Sequence, residues 1–506
     1  MLIFLRHAGL LAAGIAAGLA FVFSAEPYGV PGLIFAAPAL WAHAFGDDRA
    51  PITPWRAFLL GGLSGLTMQL LAFAWIPGLL ERFAGFPAVA AWAVAALLYV
   101  AQALPYALAL GVAAWLRLRG APLLVALPVS LVAIAARLPT LFPWRPADVL
   151  TSSALPYAQL AEIGGAPLVD LAFAFLGVAF VESFRTSKRA PRVVFALALA
   201  LPTLYGAARI EAIERAREER PLLRVGVVQP NVSIEDKHDR TRFHDNLKKL
   251  HAASAPLVAE GAELVVWPES AYPFRVPRGR GEDYEGGLAI RPPGISVPIV
   301  TGLVTQVDRC MRWNSVVAGE PSGRIAGVAD KIVLLPFGEF APLHAHYPAW
   351  LLELAPCAGF VPGEHEPLLE AAGAPLGILN CYEDLLPVRS RALARAGAAL
   401  LVNLTNDAWF GDTAEPHLHH MVSRLRAIEA RRDLLRAVNT GVSAHVSSTG
   451  RDLVRTETFV EASFVAEARL ADELTVYARL GDVLTPMLLA WLFSALLRGA
   501  RSLRSR

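Results

Sequence analysis

The chain is 506 residues long, 55% hydrophobic and only 18% charged, with a mean hydropathy of +0.44. A soluble globular chain carries about a quarter charged residues, so one large water-soluble core does not fit, and the length exceeds what a single core usually organises. A formal net charge of +2 gives no electrostatic case for nucleic-acid binding.

Apolar runs follow one another near residues 8–24, 30–46, 57–80, 88–116, 122–141, 165–184 and 192–208. Each approaches the roughly 20 residues that cross a hydrocarbon core as helix, and charges cluster between them. The first run has the apolar core of a signal peptide without a clear small-residue cleavage site, and reads as a retained anchor. Basic residues set the orientation. Arg6, then Arg49 and Arg56, then Arg117 and Arg119, then Arg185, Lys188, Arg189 and Arg192 mark every second gap, whereas the gaps between hold only Arg82, Arg137 and Arg145. The N-terminus is therefore expected in the cytoplasm, and seven crossings deliver the chain to the outer side at about Glu211.

From about 221 to 475 the composition becomes that of a soluble domain. Strands are expected at Leu223–Gln229, Glu263–Trp267, Val297–Leu303, Ser315–Ala318, Ile332–Leu335, Leu376–Cys381, Ala399–Leu404 and Arg436–Ser447. Helical spacing is expected at 244–260 and 417–435, the latter from Leu418, Met421, Val422, Leu425 and Ile428. Alternating strands and helices imply an α/β layered domain. An eighth apolar run, about 483–497, returns the chain to the cytoplasm, and the basic tail Arg498, Arg501, Arg504 and Arg506 agrees with that parity. The expected division is a bundle at 1–210, an extracytoplasmic domain at 221–475, and a last span with its tail at 476–506. Of three cysteines, Cys310 and Cys357 are expected to be unpaired structural thiols, although a bridge between them is open, and Cys381 stands apart.

Three stretches carry chemistry. In Val265-Val-Trp-Pro-Glu269-Ser a strand runs into proline and sets a carboxylate at its end. In Asp330-Lys331-Ile-Val-Leu-Leu-Pro-Phe-Gly-Glu339 a cation opens an apolar run and a second carboxylate follows it. In Leu379-Asn-Cys381-Tyr382-Glu383-Asp384 a thiol ends an apolar strand before residues able to open a helix. A neutral thiol is a poor nucleophile, so it needs a base and a cation. Glu269 can take the proton, Lys331 can favour the thiolate and then the oxyanion with helix-start amides, and Glu339 can hold Lys331 or relay a proton. The outcome is a thioester acyl-enzyme. Each element alone has a plain structural reading as buried small residue, strand edge or turn; the weight lies in their combination.

In that order, Glu–Lys–Cys within W-P-E-S, D-K…L-P-F-G-E and C-Y-E-D, the sequence resembles the carbon–nitrogen hydrolase (nitrilase) superfamily, and more narrowly the apolipoprotein N-acyltransferase family. Further matching stretches are Asn403-Leu-Thr-Asn-Asp407-Ala-Trp-Phe-Gly-Asp412 with Pro416-His417, Arg424-Leu-Arg-Ala-Ile-Glu429, Arg436-Ala-Val-Asn-Thr-Gly-Val-Ser-Ala444 and Tyr477-Ala-Arg-Leu-Gly-Asp482. The resemblance spans essentially the whole chain. It implies a membrane bundle of eight spans joined to a four-layer αββα sandwich. It makes Glu269 the general base, Lys331 the oxyanion cation and Cys381 the nucleophile. Glu339 becomes the second glutamate of the site, Tyr382 and Glu383 positioning residues beside the nucleophile, and Asn314 the match for the family's Tyr-Asn-Ser asparagine, here in Trp-Asn-Ser. It also implies a phospholipid acyl donor, a diacylglyceryl apolipoprotein acceptor, a bilayer around a monomer, and no cofactor. In one place the sequence departs: where the family often has Lys followed by an aromatic residue, in a loop thought to help admit the lipid, Lys237 is followed by His238. An amidase tethered to a membrane would share the triad and stands as the alternative.

Three further groups are read more plainly. Trp350, Leu351, Leu354 and Phe360 are either an arm dipping into lipid or an ordinary buried helix and turn. His417, His419 and His420 are not read as a metal site, because no carboxylate motif completes one. Arg424, Arg426, Arg431 and Arg432 are expected on the solvated face of a helix.

Overall fold

The computed structural model describes residues 2–46, 51–292, 294–354, 356–366 and 368–504. The chain forms two compact units, one of residues 1–212, 413–425 and 480–506 and the other of 213–412 and 426–479.

The first unit is helical. Helices occupy all eight expected apolar runs, among them Leu2–Ser24, Ala36–Ala44, Leu123–Ala135 and Leu484–Arg504. Among the described residues, three are long and apolar enough to cross a membrane: Ala88–Leu118, Ala161–Arg185 and Arg189–Glu218. A fourth candidate is the pair Pro54–Ala72 and Ile76–Ala84, bent by 52° where the first helix ends and Pro77 starts the second. Large apolar side chains stay exposed along these helices, including Val89 at 84%, Leu97 at 73% and Leu204 at 67%. Water would not tolerate a belt of that extent, whereas hydrocarbon does. Polar residues pair within the unit: buried Gln102 donates to buried Gln69 at 2.6 Å, and half-exposed Arg209 makes two hydrogen bonds to buried Glu162. Arg49 and Arg506 lie outside the described residues, as do the side chains of Arg6, Arg498, Arg501 and Arg504.

The second unit is a sandwich of two sheets. The strands are β1 (Leu222–Gln229), β2 (Leu264–Val266), β3 (Arg275–Pro277), β4 (Ile299–Gln306), β5 (Arg312–Gly319), β6 (Ile325–Asp330), β7 (Leu368–Ala371), β8 (Ala374–Asn380), β9 (Leu400–Thr405), β10 (Leu434–Val438), β11 (Ala444–Val446), β12 (Asp452–Arg455) and β13 (Ala462–Arg469). One sheet runs β13-β1-β2-β4-β5-β6 with β3 beside β4, and the other runs β12-β11-β10-β9-β8-β7. Pairing is parallel at the centre of each sheet, β1–β2–β4 and β8–β9–β10, and also between β3 and β4, and antiparallel elsewhere. Central strands are apolar on both faces because both faces are covered. Val225, Val227, Leu264, Val266, Leu376, Ile378, Leu400 and Val402 meet between the sheets. Val228 and Val265 face Leu247, Leu250 and Leu257 of the helix Phe243–Ala259, while Leu379 and Leu401 face Leu393 of the helix Pro387–Arg395 and Ala427 of the helix Glu415–Ala430. The layers are thus α, β, β, α.

Three expectations fail. The segment 332–335 is not a strand; the strand is β6, one step earlier, for a reason given with the site. The expected strand Arg436–Ser447 is two short strands, because Gly441 and Ser443 turn the chain, and Ser443 Oγ accepts from Val438 N at 3.0 Å. Cys310 and Cys357 are joined in a disulfide across Cα atoms 5.0 Å apart. Their spacing in sequence, 47 residues, hid a strap that returns beside the β4–β5 hairpin, where Val361 N donates to Arg312 O at 2.7 Å.

The arginines expected in solvent are buried as well. Arg424 is 8% exposed and lies 3.4 Å from Glu26; Arg426 pairs with Glu429 at 3.2 Å. Arg431 donates to Ser448 O, and Arg432 to the carbonyls of Ala398 and Glu473. Guanidinium forks here serve as caps for carbonyls that secondary structure leaves over.

Asp433 anchors the same region. Its carboxylate accepts from Arg217 at 2.7 and 3.1 Å, from Ser448 N and Arg469 N, and stands 3.0 Å from His445 Nε2. Burial alone would raise its pKa, but His445 and Arg217 outweigh burial and hold it down to about 2. A depressed carboxylate adds stability above its unfolded pKa, and that stability is lost as pH falls from about 4 to 2. Replacing Asp433 by Ala is expected to cost about 3–5 kcal/mol, since it strands Arg217 and His445 without their anion. Thermal unfolding at pH 7 measures the loss, and the difference from the unmutated protein should shrink below pH 4.

Candidate active site

Glu269 stands where β2 ends. Trp267 fixes the exit: its backbone N–H donates to Val300 O at 2.9 Å and its indole N–H to Ser254 Oγ at 2.9 Å. The neighbouring β4 passes so close that a Cβ at Gly302 would lie 2.4 Å from Ser270 N and 2.6 Å from Glu269 Cα. Only glycine fits beneath the carboxylate. Glu269 is 7% exposed.

Lys331 follows β6, and its backbone N–H donates to Asn314 O at 2.9 Å. Beyond it the amides are taken by carboxylates. Ile332 N and Val333 N donate to Glu383 Oε1 at 2.9 and 3.0 Å, and Leu335 N to Glu339 Oε2 at 2.8 Å. With those donors engaged no ladder can form, so the apolar run after Lys331 is a loop wrapped around two anions.

Cys381 begins the 3-10 turn Cys381–Leu385 after β8, with φ 50°, a left-handed conformation unusual for a side-chain-bearing residue. The expected α-helix start is this 3-10 turn; the helix comes later, at Pro387. Asn403 Nδ2 donates to the carbonyls of Leu379 and Cys381, each at 3.2 Å. Glu383, fully buried, also accepts from Asn380 N at 3.0 Å and pairs with Arg389 at 3.3 Å. It therefore clamps the Cys381 turn to the Lys331 loop. Burial pushes its carboxyl pKa up, and Arg389 works against that rise. Tyr382 is also buried, and burial raises its phenol pKa while Lys331 lowers it.

The side chains converge. Lys331 Nζ is 2.8 Å from Glu339 Oε2 and 3.6 Å from Glu269 Oε1. Asn314 Nδ2 bridges the two carboxylates, at 2.7 Å to Glu269 and 2.9 Å to Glu339, while its Oδ1 accepts from Asn380 Nδ2 at 3.0 Å. Burial would lower the Lys331 pKa, but Glu339, Glu269 and Cys381 together raise it, so the ammonium stays charged. Burial and then Glu269 push the Cys381 thiol well up; Lys331 opposes them. The resting set is a neutral thiol in the field of the Lys331 cation, with Lys237 nearby, and of the carboxylates of Glu269, Asp407 and Glu339. It can pass a proton from sulfur to Glu269 and meet a developing oxyanion with Lys331.

All seven sequence-derived residues thus lie in or against one cluster. The sequence reading did not assign Asn380, Asn403, Arg389 or Lys237 to it. The strap after Cys357 was missed too: Phe360 N donates to Glu339 O at 2.9 Å and Gly363 N to Lys331 O at 2.8 Å. At Gly359, φ is 120° and a Cβ would sit 2.2 Å from Glu339 O, so glycine lets the strap reach the site's backbone. His238 stands with its ring 5.5 Å from Trp409, so the imidazole supplies an aromatic contact in the loop where the sequence departs. Trp350 is 63% exposed and Phe360 half-buried, while the side chains of Leu351 and Leu354 lie outside the described residues. Phe337 and Leu343, in the same stretch, are 81% and 75% exposed. His419 does have a carboxylate neighbour, Glu415 at 3.8 Å one turn back, contrary to the sequence expectation.

Residues 224–473 match the family described as carbon-nitrogen hydrolase, and residues 17–179 match the apolipoprotein N-acyltransferase N-terminal domain. The apolipoprotein N-acyltransferase of Geobacter metallireducens is 31% identical over 88% of this chain and 86% of its own length. That of Gloeobacter violaceus is 30% identical over 97% and 94%, and that of Bdellovibrio bacteriovorus 28% identical over the same shares.

The signs at Cys381 give a prediction that separates charge from fold. Glu269→Gln removes an anion that raises the thiol pKa, so the midpoint pH for alkylation of Cys381 by iodoacetamide should move down. Lys331→Met removes the opposing cation, so the midpoint should move up. Acyl transfer should fall at least a hundredfold in both. Mass spectrometry of alkylation against pH reads the two shifts.

Proposed function

Because the chain belongs to the apolipoprotein N-acyltransferase family, we propose that it moves a fatty acyl chain from a phospholipid to the α-amino group of the S-diacylglyceryl cysteine at a lipoprotein N-terminus. The convergence of Glu269, Asn314, Lys331 and Glu339 around the Cys381 thiol carries this reading. Glu269 takes the Sγ proton as sulfur attacks the ester carbonyl. Lys331, held by Glu339 and aligned by Asn314, stabilises the oxyanion. The carbon–oxygen bond breaks, Glu269 returns the proton to the leaving lysophospholipid, and a thioester remains on Cys381. The neutral amine then attacks, Glu269 accepts its proton, and the thiol is restored as the amide forms. Tyr382 and Glu383 position the nucleophile. No step calls for a cofactor.

The membrane setting follows from the substrates. At about 0.8 kcal/mol per methylene, a sixteen-carbon acyl chain is held in the bilayer by about 12 kcal/mol, which a site at the lipid surface need not overcome. We place the protein in the bacterial inner membrane as a monomer, with eight spans, the bundle at 1–210, the catalytic domain at 221–475 on the periplasmic side, and both termini cytoplasmic. The alternation of basic gaps supports that orientation, and so does the Cys310–Cys357 disulfide, which belongs to an oxidising compartment. The exposed Phe337, Leu343 and Trp350 fit an arm that meets lipid.

Incubation with a dipalmitoyl phospholipid is expected to add one palmitoyl group to Cys381, released by hydroxylamine and absent from Cys381→Ala; turnover of small amides without such an adduct would favour an amidase instead. Phe337→Ser with Trp350→Ser should slow lipid acylation at least tenfold while moving the thermal midpoint by less than about 3 °C, the range of exposed substitutions in a chain of this size. Equal loss of fold would remove the arm.

A further inference from the structure

One half-buried charge near the site has no part in the steps above. Lys237 lies on the short helix Ile234–His238, and its placement is built. Asn439 holds the preceding loop, accepting from Val232 N at 2.9 Å and donating to Val232 O at 2.8 Å, and its backbone carbonyl accepts from Asn231 N. Ser233 Oγ caps the helix by accepting from Asp236 N at 3.0 Å, and the ring of His238 packs on Trp409. From this base Lys237 Nζ reaches Glu269 O at 2.8 Å.

An ammonium has three donors. Here one goes to a neutral carbonyl, and among the described residues no carboxylate comes within 4.0 Å of Nζ. Lys331, by contrast, has Glu339 and Glu269 at hand. Lys237 also lies within the fields of Glu269 and Cys381; burial still outweighs them and draws its pKa down to about 8. A cation partly withdrawn from water without an anion is costly, and a transient anion relieves that cost.

We propose that Lys237 binds the phosphodiester of the acyl donor. The proposal rests on the phospholipid reading above. In a glycerophospholipid the phosphodiester carries one negative charge and is separated from the reactive ester by the glycerol backbone alone. Lysine meets it as a point charge, indifferent to what the headgroup carries beyond the phosphate. The ammonium thus sets the donor's register, with the ester carbonyl over Sγ and the phosphate beside the Glu269 carbonyl.

Two acyl donors test it on the full-length protein in detergent micelles: a dipalmitoyl glycerophospholipid, and p-nitrophenyl palmitate, which has no phosphate. Lys237→Gln is expected to raise KM for the phospholipid ten- to hundredfold, with kcat/KM toward p-nitrophenyl palmitate falling less than threefold. Lys237→Arg should recover most of the phospholipid KM. Equal loss with both donors, together with a changed pH profile of Cys381 alkylation, would show the cation serving the thiolate and would overturn the proposal, as would no loss with either. If the unmutated protein took no palmitoyl group from the phospholipid, the reading beneath would fall and the proposal with it; if it did, only the proposal is at stake. Activity of Lys237→Gln toward the phosphate-free ester doubles as the check that the variant folds.

Discussion

A buried ammonium shared between two carboxylates is the constraint on which the second unit's architecture turns. Lys331 is 2% exposed, and an isolated cation at that depth would cost several kcal/mol. Glu339 and Glu269 offset the cost, and Asn314 keeps the two carboxylates from drifting apart by donating to both. Each of these groups comes from a different place: the end of β2, the strand β5, the loop after β6, and the turn beyond it. Sheet order makes that possible, because β2, β4, β5 and β6 lie side by side and open their ends to one region.

Much of this was legible in the residues. The helical runs were visible from apolar length alone, and the central strands from continuous valine and leucine. The clustering of Glu269, Lys331 and Cys381 was visible because W-P-E, D-K and C-Y-E-D are chemically specific in combination. What escaped has a common cause. Ile332–Leu335 looks like a strand by composition, yet its amides bind Glu383 and Glu339, and nothing local in the sequence announces a carboxylate arriving from 51 residues away. Arg432 reads as a surface residue until the carbonyls of Ala398 and Glu473 are seen to need donors. The disulfide was missed because proximity across 47 residues is a property of the strap, not of either cysteine. Local pattern and composition were readable; partnership at long range was not.

The strap and the helix that carries Lys237 share a logic. Both are short segments that bond backbone carbonyls of the site. One bonds the carbonyls of Lys331 and Glu339; the other places an ammonium on the carbonyl of Glu269. The second sheet holds the Lys237 helix through Asn439, and a covalent bridge holds the strap. The cluster is therefore oriented by its main chain as well as by its side chains, and loops take on a rigidity that regular strands supply elsewhere.

Glu383 carries one more consequence. Three amides, two after the cation and one before the sulfur, end on the same carboxylate. The Cys381 turn and the Lys331 loop are thus clamped together as one cassette. Exposed apolar tips such as Phe337 lie outside that clamp, so they can change without moving the sulfur or the ammonium.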